Sequence, residues 1–400
     1  MLAELAGTAS PHGGERRLAE AFAGWAAAHW PFIDWQVRPL DGGSASILAT
    51  ASSGTVAPAD VLLYSHLDTS LTGDPLRDAA ITGRDDPVAS YAFDGDVVSG
   101  LGLGVAKGPA AAAVVGFVRA AHRLHGRPHH VQLLLSARGT HRWAPDHRTG
   151  ITEYLAALPP PRAAVVAKGG PAGVLRQEPA ALYLRVRLDA GWGPLMLPGA
   201  LRPAGGLLSQ AGPVLATVEA WGAEYAADAA REALRADPSR QDGAAFGVGS
   251  VRAGSPEKPD LAPAALELYC YLVVPGPVSR GAAAASLAKR LGAFDGVRVD
   301  EQLLADGPAT PADAPIVRVA SDAYLSEFPA APPIAGWTGS TDGVVLRAAG
   351  VPTARLGPRP LPAGDDPRID AFELAELARF ARVYERIVFS APTPVRRRGE

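Results

Sequence analysis

The chain holds one cysteine, Cys270, in 400 residues. A lone thiol can build neither an internal disulfide nor a site of clustered thiolates, so disulfide scaffolds are excluded and a reducing compartment, the cytoplasm, is expected. Lysine is almost as scarce. It stands only at 107, 168, 258 and 289, which leaves arginine for the other 34 of the 38 basic residues. Neither sign of charge prevails, since the formal net charge is -3 and the pI is near 6.3. Such a balance gives no overall attraction to a phosphate backbone or an acidic bilayer, so neither a nucleic-acid partner nor a membrane is expected. Long apolar runs are missing too, because Gly, Pro or Arg interrupts the Ala-rich stretches before they reach the ~20 residues of a membrane-spanning helix. The first residues carry Glu4, Glu15, Arg16 and Arg17 and show no export signal. Histidine is absent from the C-terminal part altogether, all nine lying between 12 and 147.

What is present suits a globular protein: 48% apolar and 20% charged residues, at a length that favours two domains over one. Leu18, Phe22, Trp25 and Ala26 recur at helical spacing and predict an amphipathic helix over 15–30. ADVLLYSHLDTS (59–70) is a short apolar run ending in polar residues, the pattern of a buried parallel strand that opens onto a crevice. KGPAAAAVVGFVRAAHRL (107–124) reads as a helix with Pro109 in its first turn. HHVQLLLSA (129–137) is a strand, TGITEYLAAL (149–158) a helix and RAAVVAKGG (162–170) a strand, and this alternation implies a mostly parallel sheet covered on both faces. Near Pro179 the pattern changes. ALYLRVRLDAG (181–191) alternates as a half-exposed strand, followed later by LELYCYLVV (266–274) and the helix SRGAAAASLAKRLGAF (279–294), a small α+β insert. The doubly wound pattern then returns with a helix over 314–328, the loop AGWTGSTDG (335–343), a strand at 352–357 and a helix over 372–388. The last nine residues, PTPVRRRGE, are expected to be disordered.

Four stretches in order, ASPHGGE (9–15), YSHLDTS (64–70), DGDVVSGLGLGVAKG (94–108) and GSTDGVVLRAAGVPTARLGP (339–358), resemble the zinc exopeptidase family of aminoacylase, acetylornithine deacetylase and succinyl-diaminopimelate desuccinylase. The resemblance covers nearly the whole chain. It implies a doubly wound, mostly parallel α/β domain built from 1–178 and 305–400, with a smaller α+β lid and dimerisation domain inserted at 179–304. It also implies a homodimer that pairs through an edge strand of the insert, for which 181–191 is the candidate. Such enzymes hold two zinc ions on a bridging carboxylate and further His and Asp/Glu ligands, with a glutamate as general base. Carried over residue by residue, His66 is the first ligand and Asp68 the carboxylate that orients it. The bridging aspartate is replaced by Val105, and Asp-Glu-Glu by Arg138, Gly139 and Thr140. Lys168 and Gly169 stand where a further acidic ligand belongs, and Gly364 where the last histidine belongs. In the insert, Asp260 and Val273 replace a substrate-binding asparagine and arginine. No zinc and no other cofactor is therefore expected, and the two-zinc reaction is not.

Three readings stay open. In the first, the chain is a metal-independent enzyme acting on an amide, acyl amino acid or related carboxylate, with His66 and Asp68 as acid/base pair. Lys107, Arg138, Thr140, Lys168 and Asp342 then bind substrate in a cationic pocket, although Arg138 and Lys168 equally fit ordinary strand-end surface positions. In the second, it is a non-catalytic binding or partner module, with His66 a structural relic. In the third, a single metal persists at His66, with His129, His130, His141, His147, Asp146, Asp365 and Asp366 as further candidates. A Ser/His/Asp triad lacks the GxSxG signature, and strand alternation sends Ser65 away from His66, leaving Ser136 or Thr140 as nucleophile.

Overall fold

The computed structural model describes residues 1–54, 58–84, 91–144, 148–197, 199, 201, 203, 206–236, 243–275, 281–305, 307–330, 332–336, 339–361 and 369–391. Its largest sheet has eight strands, in spatial order Asp34–Pro39 (β1), Ala45–Ser52 (β2), His130–Ser136 (β6), Val61–His66 (β3), Ala164–Ala167 (β7), Thr353–Leu356 (β16), Val174–Gln177 (β8) and Ile334–Gly336 (β15). Four neighbouring strands, β6, β3, β7 and β16, run parallel. Antiparallel strands join them on either side: β2 meets β6, and β8 meets β16.

Helices cover both faces, as the strand chemistry requires. Along β3, Leu63 packs into a core shared with Arg16–His29 (α2), Gly108–Leu124 (α4), Pro315–Leu325 (α8) and Leu374–Ser390 (α10). Its neighbours Leu62 and Tyr64 face the other way, against Ile151 and Tyr154 of Gly150–Ala157 (α5) and Leu346 of Gly343–Ala348 (α9). The short helices Leu2–Ala6 (α1) and Pro75–Thr82 (α3) complete this part. At the α4–α10 crossing a Cβ on Gly116 would lie 2.6 Å from the Ala381 carbonyl oxygen and 2.7 Å from the Tyr384 Cβ. Contrary to the sequence expectation, Leu103–Leu124 is long and apolar enough, by length and composition, to cross a membrane. It lies in the core with 83% of its most apolar window buried. An Ala-rich helix buried on nearly all sides has the same composition as a bilayer span.

A three-stranded sheet, in order Ile369–Glu373 (β17), Val97–Leu101 (β5) and Tyr91–Asp94 (β4), packs Val98 and Phe372 against Leu103. The remaining large sheet is antiparallel, in order Ala245–Ala253 (β11), Ala265–Val274 (β13), Ala180–Asp189 (β9) and Val297–Ala305 (β14). Ala211–Ala236 (α6) and Gly281–Arg290 (α7) cover one of its faces. Gly193–Pro194 (β10) pairs with Leu261–Ala262 (β12) beside it.

One expectation is corrected here. Strand β9 alternates as expected, yet it lies between β13 and β14 and offers no free edge. Alternation reports a sheet with one covered face and says nothing about position within the sheet. The edges are β11 and β14.

Candidate functional site

The parallel strands β3, β6 and β7 end on one side of the sheet, the usual place for a site in such folds. His66 closes β3 with its side chain buried. Its Nδ1 lies 3.0 Å from Asp68 Oδ1, and His12 Nδ1 lies 3.2 Å from Asp68 Oδ2. The loop after β6 donates two backbone N–H groups to the same carboxylate, Gly139 to Oδ1 at 2.8 Å and Thr140 to Oδ2 at 3.0 Å. Burial alone would raise the Asp68 pKa, but His66 and His12 outweigh it and hold the carboxyl well below its usual range. With Nδ1 committed, His66 Nε2 is buried and has no hydrogen-bond partner. Gly139 packs directly on the imidazole: a Cβ there would sit 2.3 Å from His66 Cβ.

Lys107 is also buried, at the end of the turn Leu103–Lys107, where the Val105–Ala106 peptide is cis. Its Nζ donates to Ser10 Oγ at 2.6 Å, and Ser10 Oγ donates to the Leu67 carbonyl at 2.7 Å. Burial lowers the Lys107 pKa to about 7 against the pull of Asp68 and Glu15. Glu15 Oε1 accepts the N–H groups of Gly13 and Arg138 at 2.9 and 3.0 Å, while Oε2 is buried without a partner. His12, Glu15 and Asp68 each offer a ligand atom within 4.8 Å of the others, a possible cation site.

A second buried group adjoins the first. Asp342 accepts a short hydrogen bond from the Tyr64 hydroxyl and lies 3.4 Å from His141 Nε2. Burial pushes its pKa up, and His141, Tyr64 and Lys168 together bring it below the usual value. Lys168 retains some surface, yet burial is the largest cause lowering its pKa, followed by Arg355. Glu178 takes hydrogen bonds from Thr341 Oγ1 at 2.5 Å and Arg347 Nη2 at 2.7 Å, with Arg355 Nε at 3.8 Å.

The expected residues His66, Asp68, Lys107, Thr140, Lys168 and Asp342 therefore converge. Arg138 does not. Its guanidinium turns to Asp41 and Ser44, so only its backbone N–H serves the site, through Glu15. The expected cationic pocket is corrected as well, because Glu15, Asp68, Glu178 and Asp342 are all buried beside the cations. Of the candidate nucleophiles, Ser65 bonds the Ala167 carbonyl and Ser136 the Ala137 carbonyl, while Thr140 Oγ1 accepts from Ser70. None reaches His66. Of the other metal candidates, His129 and His130 are half-buried, His129 with its Nδ1 on the Arg127 carbonyl, and His141 is bound to Asp342; Asp146, His147, Asp365 and Asp366 lie outside the described residues, as does Gly364, which stands in place of the last histidine. Sequence reasoning gave no role to His12, Glu15, Tyr64, Glu178, Arg347 or Arg355. A signal existed for two of them, since His12 and Glu15 belong to the ASPHGGE stretch.

No family model matches the sequence, and no curated protein does. Solved structures match along almost the whole length. An M20 family metallo-carboxypeptidase from Sulfolobus solfataricus superposes with a TM-score of 0.68 at 13% identity, covering 97% of each chain. Human carnosine dipeptidase 1 gives 0.65 at 11% identity, covering 97% of this chain and 94% of that one. Aminopeptidase PepT of Bacillus cereus gives 0.59 at 12%, covering 97% and 96%. The chain thus has the α/β fold of M20 metallopeptidases, and at these identities the likeness carries the fold alone.

Proposed function

We propose that the chain is a metal-independent enzyme acting on an amide, acyl amino acid or related small carboxylate, with His66 as general base and Asp68 as the group that fixes its tautomer. The observation that carries this is the buried, unpartnered Nε2 of His66 on a ring whose Nδ1 is committed to Asp68. In the reaction, Nε2 takes a proton from an attacking water and returns it to the leaving amine. Lys107 and Lys168 supply positive charge for the carboxylate or the developing oxyanion. His66 is 1% exposed, so turnover requires the loop 138–144 to move.

A pair of zinc ions does not fit these residues. Val105 offers no ligand atom at the bridging position. A side chain at 139 would collide with His66, and the buried ammonium of Lys107 already supplies positive charge to Asp68 and Glu15. No step is routed through metal. A single cation is the second reading, supported by the proximity of His12, Glu15 and Asp68.

Metal analysis of the purified protein separates the two. The first reading expects far less than one zinc per chain, a melting temperature unmoved by chelator, and loss of turnover in His66→Ala with the fold kept. Stoichiometric zinc with a chelator-induced fall in melting temperature would replace it by the second. Full activity in His66→Ala would end the acid/base assignment, and absence of turnover on any acyl amino acid would leave a binding protein.

A further inference from the structure

Away from the buried groups, a cavity of about 340 Å³ opens on the face of the antiparallel sheet that α6 and α7 leave uncovered. Its walls include Trp143, Tyr183, Tyr269 and Tyr271, all half-buried, together with Gly249 and Arg252. The rings associate in two pairs, Trp143 with Tyr269 at 6.0 Å and Tyr183 with Tyr271 at 5.4 Å between centroids. Register slips between Val248 and Ser250, so Gly249 is the extra residue of a bulge in β11. The nearest atom to a Cβ built there would be 3.8 Å away, so the glycine leaves this wall open.

Aromatic walls by themselves suit an organic cation. The charge around these walls argues for the opposite ligand. Among the described residues Arg252 is the one charged group lining the cavity, with its guanidinium 5.5 Å from the Tyr269 ring centre, and it makes no ion pair with a described residue. Arg185, 5.5 Å from the Trp143 ring, is already neutralised by Asp300, and Glu267 by Arg187. An uncompensated guanidinium beside four aromatic rings matches a flat apolar group that carries an anion.

We infer that this cavity is a recognition site for a small aromatic carboxylate, whose ring packs among Trp143, Tyr183, Tyr269 and Tyr271 and whose carboxylate pairs with Arg252. The volume is at the small end of the ~300–1,000 Å³ typical of ligand pockets, right for one ring and a short chain. The site touches the buried groups through backbone. The Tyr183 hydroxyl donates to the His141 carbonyl at 3.0 Å, and Trp143 lies three residues beyond Thr140 in the same loop. The inference does not depend on the enzymatic reading, because it concerns equilibrium binding.

The test is titration calorimetry on the full chain with 3-phenylpropionate, which has no amide bond to cleave. Propionate, 3-phenylpropanol and benzyltrimethylammonium serve as controls lacking the ring, the charge, or the right sign. The expected result is that 3-phenylpropionate binds about tenfold or more tighter than any control. Arg252→Gln and Trp143→Ala are each expected to weaken it about fivefold or more. Arg252 is exposed, so its variant should keep the wild-type melting temperature. Binding of propionate as tight as 3-phenylpropionate, preference for the quaternary ammonium, unchanged affinity in Arg252→Gln, or no binding of any probe at millimolar concentration would each overturn the inference.

Discussion

Glu178 stands between Arg347 and Arg355 inside the protein, and none of the three is more than 3% exposed. Burial would push the Glu178 carboxyl up, but the two guanidinium groups outweigh it and keep its pKa lowered. Replacing it with glutamine leaves two buried cations without their counter-charge. Glu178→Gln is therefore expected to cost about 3–5 kcal/mol in urea unfolding. A loss below about 1 kcal/mol would mean that the arginines are solvated rather than paired. The contact at Gly139 makes a different demand. With 2.3 Å between the added Cβ and His66 Cβ, Gly139→Ala must displace either the ring or the loop, at about 1–3 kcal/mol. Displacing the loop also breaks the two N–H bonds to Asp68. A variant with unchanged stability would show that the loop is not seated on the imidazole.

Among the elements, those most legible in the sequence are β3, β6 and β7, because a strand buried on both faces is an apolar run bounded by polar residues, broken in β6 by Gln132 alone. Strand β11 was not legible. AFGVGSVRA holds two glycines, which strands disfavour, and its bulge has no signature of its own. Helix α6 was within reach and was not read, for Val214, Val218 and Trp221 recur at helical spacing and are buried. At the site, His66 and Asp68 were readable through the family resemblance of the YSHLDTS stretch, whereas the Glu178–Arg355 pair joins distant parts of the chain that only the folded sheet brings together. Two predictions belong to this scale. Gly116→Leu should drive α4 and α10 apart and cost well above 1 kcal/mol, read as a fall in the urea midpoint. The homodimer remains a proposal, and β11 is the edge that suits it, because β14 turns toward the large domain, its Gln302 bonding the backbone of Arg142 and Ala144. Light scattering is then expected to give twice the 41.2 kDa of one chain, and a monomer mass at micromolar concentration would reject the pairing.

Over the whole molecule the buried charges set how stability responds to pH. Glu178 and Asp342 have folded pKa values below their ordinary 4.5 and 3.8, so just below those values the unfolded chain binds more protons than the folded one. Their contribution is complete above the ordinary values and is lost as pH falls through the folded ones. Lys107 gives a slope of the same sign for a different reason, because burial disfavours its charged form. Its folded value is about 7 against 10.5, so the unfolded chain again holds the extra proton between these two, and stability rises with pH across that window. Urea midpoints should therefore increase from pH 7 to pH 9 in the native protein and increase less in Lys107→Met, where Lys168, also lowered by burial, still contributes; an equal rise in both would remove Lys107 as a cause. The sheet order bears on how the chain is made. Strand β7 lies between β3, which precedes it, and β16, which is synthesised almost two hundred residues later. While the ribosome is still extending the chain, one side of β7 waits with its hydrogen-bonding groups unfilled. The four strands β9, β11, β13 and β14 need no partner from outside their own stretch, so this antiparallel sheet can assemble first and the larger one closes around an already finished neighbour.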